Sequence, residues 1–181
     1  MRTNYRFSLL VIAGVAAMTT GVNAMATESP EMLATSASKP VALGAGPVAV
    51  TLAPAPGSAA SLSARVATVR QGRKVYLVVK GLGTNEQPEV IYQVYLALPP
   101  GVAPKPDGPH YVGSLNFFNA PKSGSGAARD SRFYSFDVTD LLKTLQSNKS
   151  LGDAATVTIV PADKPRDSAK PMIGEIALVE Q

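Results

Sequence analysis

The sequence predicts an all-β protein, a single antiparallel β-sandwich of jelly-roll type with about eight strands and one short helix. Short runs of β-branched and aromatic residues alternate with glycine- and proline-rich turns, at a spacing typical of sandwiches and barrels. Several of these runs carry a hydrophobic residue at every second position, which indicates strands with one buried face. The chain has no cysteine, so a packed core rather than disulfides must stabilise it.

The N-terminal segment, residues 1–26, has the layout of a secretory signal peptide. Arg2 and Arg6 precede an apolar run over residues 7–18, and small residues follow at Ala24 and Ala26. Because a membrane-spanning helix needs about 20 apolar residues, we expect cleavage after Ala24 or Ala26. The mature protein would then be periplasmic or extracellular, without a membrane span.

Charge argues against a nucleic-acid partner. Removal of the two N-terminal arginines would lower the formal net charge from +4 to +2. The remaining lysines and arginines are scattered, whereas a nucleic-acid interface needs a clustered basic surface.

Residues 27–46 are rich in alanine, serine, proline and glycine, which predicts a flexible leader. The folded domain is then expected over residues 47–181. Eight candidate strands fall within it, at 47–53, 64–69, 74–80, 89–98, 111–118, 132–138, 155–160 and 172–179.

Two of these strands show the alternation most clearly. In 89–98, Tyr92 and Val94 fall on one face with other apolar residues, and the opposite face also carries apolar side chains, so we expect burial on one side and partial cover on the other. In 155–160, Val157 and Ile159 alternate with threonines, which is typical of a strand with one solvated face.

The one predicted helix covers residues 140–147. Thr139 is placed to cap it, and Asp140 favours its N-terminal dipole. Leu141, Leu142 and Leu145 would form one apolar stripe that packs against an end of the sandwich.

The residue types needed for catalysis or metal binding are scarce. His110 is the only histidine, and a zinc or copper site usually needs two or more histidine or cysteine ligands. His110 lies four residues before Ser114 without the pattern of a serine nucleophile. The glycines at 81–83 and 124–126 are fragments of nucleotide-binding fingerprints in the wrong context. We therefore expect no catalytic residues, metal or cofactor, and a role in binding or assembly.

The order of the segments is similar to that of the C-terminal domain of plant polyphenol oxidases, often labelled by a Lys-Phe-Asp-Val motif. The resemblance covers roughly Pro47 to Val179. The segments that carry it are KVYLVVKGL, VIYQVYLALPPG, HYVGSLNFFNAP, RFYSFDVTDLLKTL, DAATVTIVPAD and PMIGEIALVE. Each segment alone is a common β pattern, so the specificity lies in their order.

One departure from the family is plain. The motif position holds Ile91, Tyr92, Gln93 and Val94, so only the valine of the motif is kept. The strand alternation is intact and the implied fold is unaffected, but the contacts of the missing polar pair cannot be transferred to this chain.

The resemblance implies a domain that lies over the entrance of a type 3 dicopper catalytic domain and keeps the enzyme latent. With no catalytic domain in the sequence, such a shield would bind and cover, or help mature, a tyrosinase-like oxidase in trans. Aromatic or apolar residues on projecting loops suit this role. The candidate partner-binding residues are Val102, His110, Tyr111, Phe117 and Phe118.

Phe118 stands out among these candidates because its face of the predicted strand also carries Ser114 and Asn116, which suggests a border with solvent. The alternative function is a free-standing extracytoplasmic binding module for a carbohydrate or an envelope protein.

Overall fold

The structure is a computed structural model that describes residues 29–37, 39–123 and 133–181. The predicted signal peptide, residues 1–26, and the glycine- and serine-rich residues 124–132 lie outside the described residues. The strands are β1 (Glu31–Thr35), β2 (Val41–Ala42), β3 (Val48–Pro54), β4 (Val75–Lys80), β5 (Tyr92–Leu96), β6 (Tyr111–Leu115), β7 (Phe133–Asp137), β8 (Ala155–Pro161), β9 (Met172–Ile173) and β10 (Glu175–Glu180). The helices are α1 (Leu62–Ala67) and α2 (Thr139–Ser147).

Eight strands form one antiparallel sheet that folds over into a nearly closed sandwich. Their hydrogen-bonded order is β6-β5-β8-β3-β1-β10-β4-β7. β1 joins the two halves, since it pairs with β10 along its length and with β3 at Ala34 and Thr35. β2 and β9 form a separate two-stranded sheet. The predicted all-β fold class is confirmed.

The sandwich comes close to closure where the edge strands β6 and β7 approach each other. A Cβ at Gly113 of β6 would lie 2.6 Å from a ring carbon of Phe136 in β7, so a larger residue would force the ring to move. Nearby, the Tyr134 hydroxyl accepts from the backbone N–H of Asn116 at 3.1 Å and donates to its carbonyl at 3.1 Å. Side-chain contacts therefore join two strands that lie at opposite ends of the hydrogen-bonded order.

The core lies between the inward faces of the two halves. In β5 the side chains of Tyr92, Val94 and Leu96 are fully buried, and in β8 those of Val157 and Ile159 are as well. The threonines of β8 are half-buried on the other face. The alternation predicted for these two strands is confirmed.

The candidate strand at 64–69 is wrong, because this segment forms α1. Ser61 caps the helix, its hydroxyl oxygen accepting from the backbone N–H of Ala64 at 3.1 Å. Leu62 and Val66, four residues apart, are buried on one helical face. Valines at 66 and 69 suggested a strand, but the serine cap and the spacing from Leu62 favour a helix.

The flexible leader expected over residues 27–46 is corrected for the residues that the structure describes. β1 lies within this range, and its Leu33 and Ala34 are buried in the core. Beyond the strand, the Ser36 hydroxyl accepts from the backbone N–H of Ile176 at 3.0 Å. The low average hydrophobicity of residues 27–46 predicted a flexible segment. A few apolar residues are nevertheless enough to form β1, which links the two halves.

Helix α2 begins one residue earlier than predicted, and Thr139 does not cap it. The Thr139 hydroxyl instead accepts from the backbone N–H of Val75 at 2.9 Å and donates to Asp137 Oδ1 at 2.7 Å. Asp137 Oδ1 also accepts from the backbone N–H of Thr139 at 3.1 Å. This carboxylate therefore satisfies a free N–H group in the first turn of α2. Lys74 donates to Asp137 Oδ2 at 2.7 Å.

These contacts predict a pH-dependent contribution of Asp137 to stability. The hydrogen bonds from Lys74 and then from Thr139 lower the pKa of the Asp137 carboxyl from its ordinary 3.8 to about 2. A lowered pKa stabilises the folded state above the unfolded-state value, and this stabilisation is lost as the pH falls towards 2. The pair is partly exposed, so we expect a small effect.

The measurement is the free energy of unfolding of the wild type and of Asp137→Asn between about pH 7 and pH 2. We expect the wild type to be the more stable at neutral pH and its advantage to shrink below about pH 4. A difference that stays constant over this range would show that the charge of Asp137 contributes nothing.

Candidate partner-binding surface

The Phe117-Phe118 pair lies in a tight turn at the end of β6. The backbone N–H of Ala120 donates to the Phe117 carbonyl at 2.9 Å, which closes a β-turn with Phe118 and Asn119 at its centre. Asn119 has a φ of +55°, as the third position of a type II turn requires, and asparagine tolerates this conformation. Phe118 therefore occupies the projecting second position of the turn.

A second turn fixes the backbone of Phe118. Asn116 Oδ1 accepts from the backbone N–H of Phe118 at 3.0 Å, and both backbone groups of Asn116 bond to the Tyr134 hydroxyl. The segment before Phe118 is thus anchored to β7, while the Phe118 side chain is 66% exposed. The hydrogen-bonded backbone therefore keeps the large apolar ring of Phe118 exposed to solvent.

Two further apolar side chains lie at the same end of the sandwich. Phe133, 65% exposed, is the first residue of β7 and precedes Tyr134, which bonds to Asn116. Ile91, 48% exposed, precedes β5 at the end where Tyr92 pairs with Leu115. We call Ile91, Phe118 and Phe133 the aromatic tip. Because all three are exposed at one end of the sandwich, we treat them as a candidate interaction site.

Phe117 is a core residue, which corrects its selection as a partner-binding candidate. Its side chain is 1% exposed, and its ring packs edge-on against Tyr92, with 5.5 Å between the ring centroids. Phe117 continues the buried face of β6 that ends at Leu115, whereas Phe118 lies beyond it in the turn. A partner can touch Phe118 but not the ring of Phe117.

The other three candidates lie at the opposite end of β6. The Tyr111 ring is half-buried against Tyr95, with 5.6 Å between centroids. Val102, 50% exposed, and the half-buried His110 line a cleft formed by the loop between β5 and β6. The five candidates therefore separate into one exposed residue, Phe118, one core residue, Phe117, two cleft residues, Val102 and His110, and Tyr111, which packs on Tyr95.

Phe133 was not among the partner-binding candidates predicted from the sequence, although the sequence contained a signal for its exposure. In β7 the exposed residues are Phe133, Ser135 and Asp137, whereas Tyr134 and Phe136 are half-buried. Two polar residues at period two on one face indicate a solvated face, and Phe133 shares it.

The strand at the motif position offers no exposed polar pair. Tyr92 and Val94 are buried, and Gln93 Oε1 accepts from the Tyr95 hydroxyl at 2.6 Å on the outer face. Burial raises the pKa of Tyr92 to about 12. Tyr92 is therefore protonated at neutral pH, and its hydroxyl has no hydrogen-bond partner among the described residues.

Within residues 29–37, 39–123 and 133–181, no cluster of three or more histidine, cysteine, aspartate or glutamate side chains is placed to hold a metal ion. In the same ranges, no helix combines the length and the apolar character needed to cross a bilayer.

The fold and the tip define a small all-β domain that presents apolar side chains at one end. The chain belongs to the family described as a domain of unknown function, DUF7868, whose model matches residues 29–181. No curated protein matches the chain.

Among solved structures, latent apple tyrosinase is similar to this chain, with a TM-score of 0.50 and 19% identity over 78% of this chain and 27% of the tyrosinase. A recombinant latent aurone synthase, a polyphenol oxidase, gives a TM-score of 0.46 and 21% identity over 77% of this chain and 25% of the enzyme. The same enzyme from its natural source gives a TM-score of 0.45 and 22% identity over 77% of this chain and 25% of the enzyme.

This chain spans about a quarter of the length of these enzymes. That share is consistent with their C-terminal domain, and the resemblance predicted from the sequence is confirmed. At 19% identity, the likeness to the apple enzyme is one of fold.

Proposed function

We propose that this protein is a non-catalytic accessory domain, acting outside the cytoplasm, that binds and shields or helps mature a tyrosinase-like type 3 copper oxidase in trans. The observation that carries the proposal is the shared fold with a quarter of latent apple tyrosinase. Because the apple enzyme is latent, a domain that covers the entrance to its catalytic site would account for that latency.

The aromatic tip supplies the contact surface in this proposal. Interface hot spots are enriched in large side chains that enter a recess of the partner and are fully desolvated there. Phe118 meets the first requirement, since its ring is exposed at the apex of a turn. Because Asn116 and Asn119 fix the turn, little backbone conformational entropy is lost when Phe118 is immobilised.

The tip is bordered by one cationic side chain, Lys80, which has Glu175 at the cross-strand position on its other side. Lys80 is exposed and is the cross-strand partner of Phe133. A lysine beside an apolar contact commonly places its ammonium group at the polar rim of an interface. The proposed partner surface is therefore an apolar recess with polar groups at its edge.

The experiment is co-expression of this protein with a tyrosinase-like oxidase from the same source, followed by co-purification on a tag carried by the oxidase. We expect the two chains to elute together from size exclusion. Separate elution at all concentrations, with unchanged copper content of the oxidase, would contradict both the shielding and the maturation role.

A free-standing binding module for a carbohydrate or an envelope protein is the second candidate. The exposed rings of Phe118 and Phe133 favour it, since flat apolar rings also stack on the faces of sugars. Retention on an insoluble polysaccharide, without binding to the oxidase, would select this role.

A further inference from the structure

The loop between β5 and β6, residues 97–110, is built from three consecutive tight turns. The backbone N–H groups of Val102, Gly108 and Tyr111 donate to the carbonyls three residues before them, at 3.2, 2.9 and 3.1 Å. The second position of each turn is a proline, at Pro100, Pro106 and Pro109. Proline fixes φ near the value that this position needs, so the loop is pre-organised.

The first turn has a further determinant of its shape. Gly101 follows Pro100 and has a φ of +79°, so the pair Pro-Gly satisfies both central positions of a type II turn. At its C-terminal end the loop is attached to β5, because the backbone N–H of Leu96 donates to the His110 carbonyl at 2.9 Å.

The loop and the outer face of β5 form a half-open cleft of about 390 Å³. This volume lies within the range of about 300–1,000 Å³ that is typical of small-molecule sites. Tyr95 lies at the β5 side, and the loop contributes Leu98, Val102, Lys105, Pro109 and His110. The lining is thus mostly apolar, with one cationic side chain and one imidazole.

The hydrogen bonding of His110 determines what its ring can offer a ligand. Nδ1 lies 3.0 Å from the carbonyl oxygen of Leu96. A carbonyl oxygen can only accept, so Nδ1 carries the proton and donates. In the neutral ring Nε2 is then an acceptor, and no hydrogen bond to it occurs among the described residues.

We propose that this cleft binds a small aromatic carboxylate that carries a hydroxyl group. The apolar walls and the proline rings cover the faces of the aromatic ring, the Lys105 ammonium pairs with the carboxylate, and His110 Nε2 accepts from the hydroxyl. Tyr95, whose own hydroxyl is bonded to Gln93, contributes apolar contact. This site is independent of the aromatic tip, which lies at the other end of β6.

The test uses 4-hydroxybenzoate as the probe, titrated into the purified protein and followed by NMR chemical shifts. We expect saturable shifts confined to the cleft, with a Kd of about 1 mM or tighter, as expected for a ligand of this size. Benzoate, which lacks the hydroxyl, and phenol, which lacks the carboxylate, should each bind about fivefold to tenfold more weakly.

Two variants separate the parts of the proposal. Lys105→Met should weaken 4-hydroxybenzoate about tenfold and leave phenol unchanged, and Val102→Trp should fill the cleft and abolish binding. Phe118→Trp is the control, because it introduces the same side chain at the other end of β6 and should leave binding in the cleft intact. Shifts that do not saturate by about 20 mM, an unchanged affinity in Lys105→Met, or equal affinities for all three probes would overturn the proposal.

Discussion

Phe117→Ala is expected to lower the free energy of unfolding by about 3–5 kcal/mol, whereas Phe118→Ala is expected to lower it by less than about 1 kcal/mol. Phe117 is 1% exposed and packs against Tyr92 in the core, so its truncation leaves a cavity. Phe118 is 66% exposed, and its truncation removes few intramolecular contacts.

Urea denaturation followed by far-UV circular dichroism measures both values, which suits a chain without tryptophan. The two variants form a matched pair, since they make the same substitution at adjacent positions. Equal losses of stability would show that Phe118 is also part of the core, and the aromatic tip would then lack its central residue.

The second large effect concerns partner binding. In complex with the oxidase, Phe118→Ala is expected to raise Kd by about 30-fold, which corresponds to the about 2 kcal/mol typical of a hot-spot residue. Val102→Ala is the matched control, because Val102 is similarly exposed but lies on the loop at the other end of β6. It should change Kd by less than about twofold.

Surface plasmon resonance on the immobilised oxidase measures these affinities. A loss of affinity in Val102→Ala and none in Phe118→Ala would show that the β5-β6 loop, and not the aromatic tip, contacts the oxidase. Similar losses in both variants would indicate an indirect effect on folding, which the denaturation curves would reveal.

The sequence predicted the strands well where hydrophobic alternation was strong. β5 and β8 are examples, with inward residues such as Val94 and Ile159 separated by more polar ones. Prediction failed at α1, where β-branched residues gave a strand-like composition to a helix capped by Ser61. It also failed at β1, since its pairing with two distant strands cannot be read from local composition.

The candidate site was only partly predictable for a related reason. The direction of Phe118 followed from its polar neighbours on the same face, but its rigid presentation depends on Tyr134, a residue of another strand. The cleft depends on how the proline-rich loop folds back over Tyr95. Contacts between segments distant in sequence determine both the rigid presentation of Phe118 and the shape of the cleft. A local sequence pattern cannot predict such contacts.

The most direct test of the proposed function is a titration of an active tyrosinase-like oxidase from the same source with this protein, with the rate of phenol oxidation and complex formation measured together. A shield acting in trans predicts a saturable fall in rate that follows formation of a one-to-one complex and is weakened by Phe118→Ala. An unchanged rate without any complex, at protein concentrations up to about 100 µM, would contradict it.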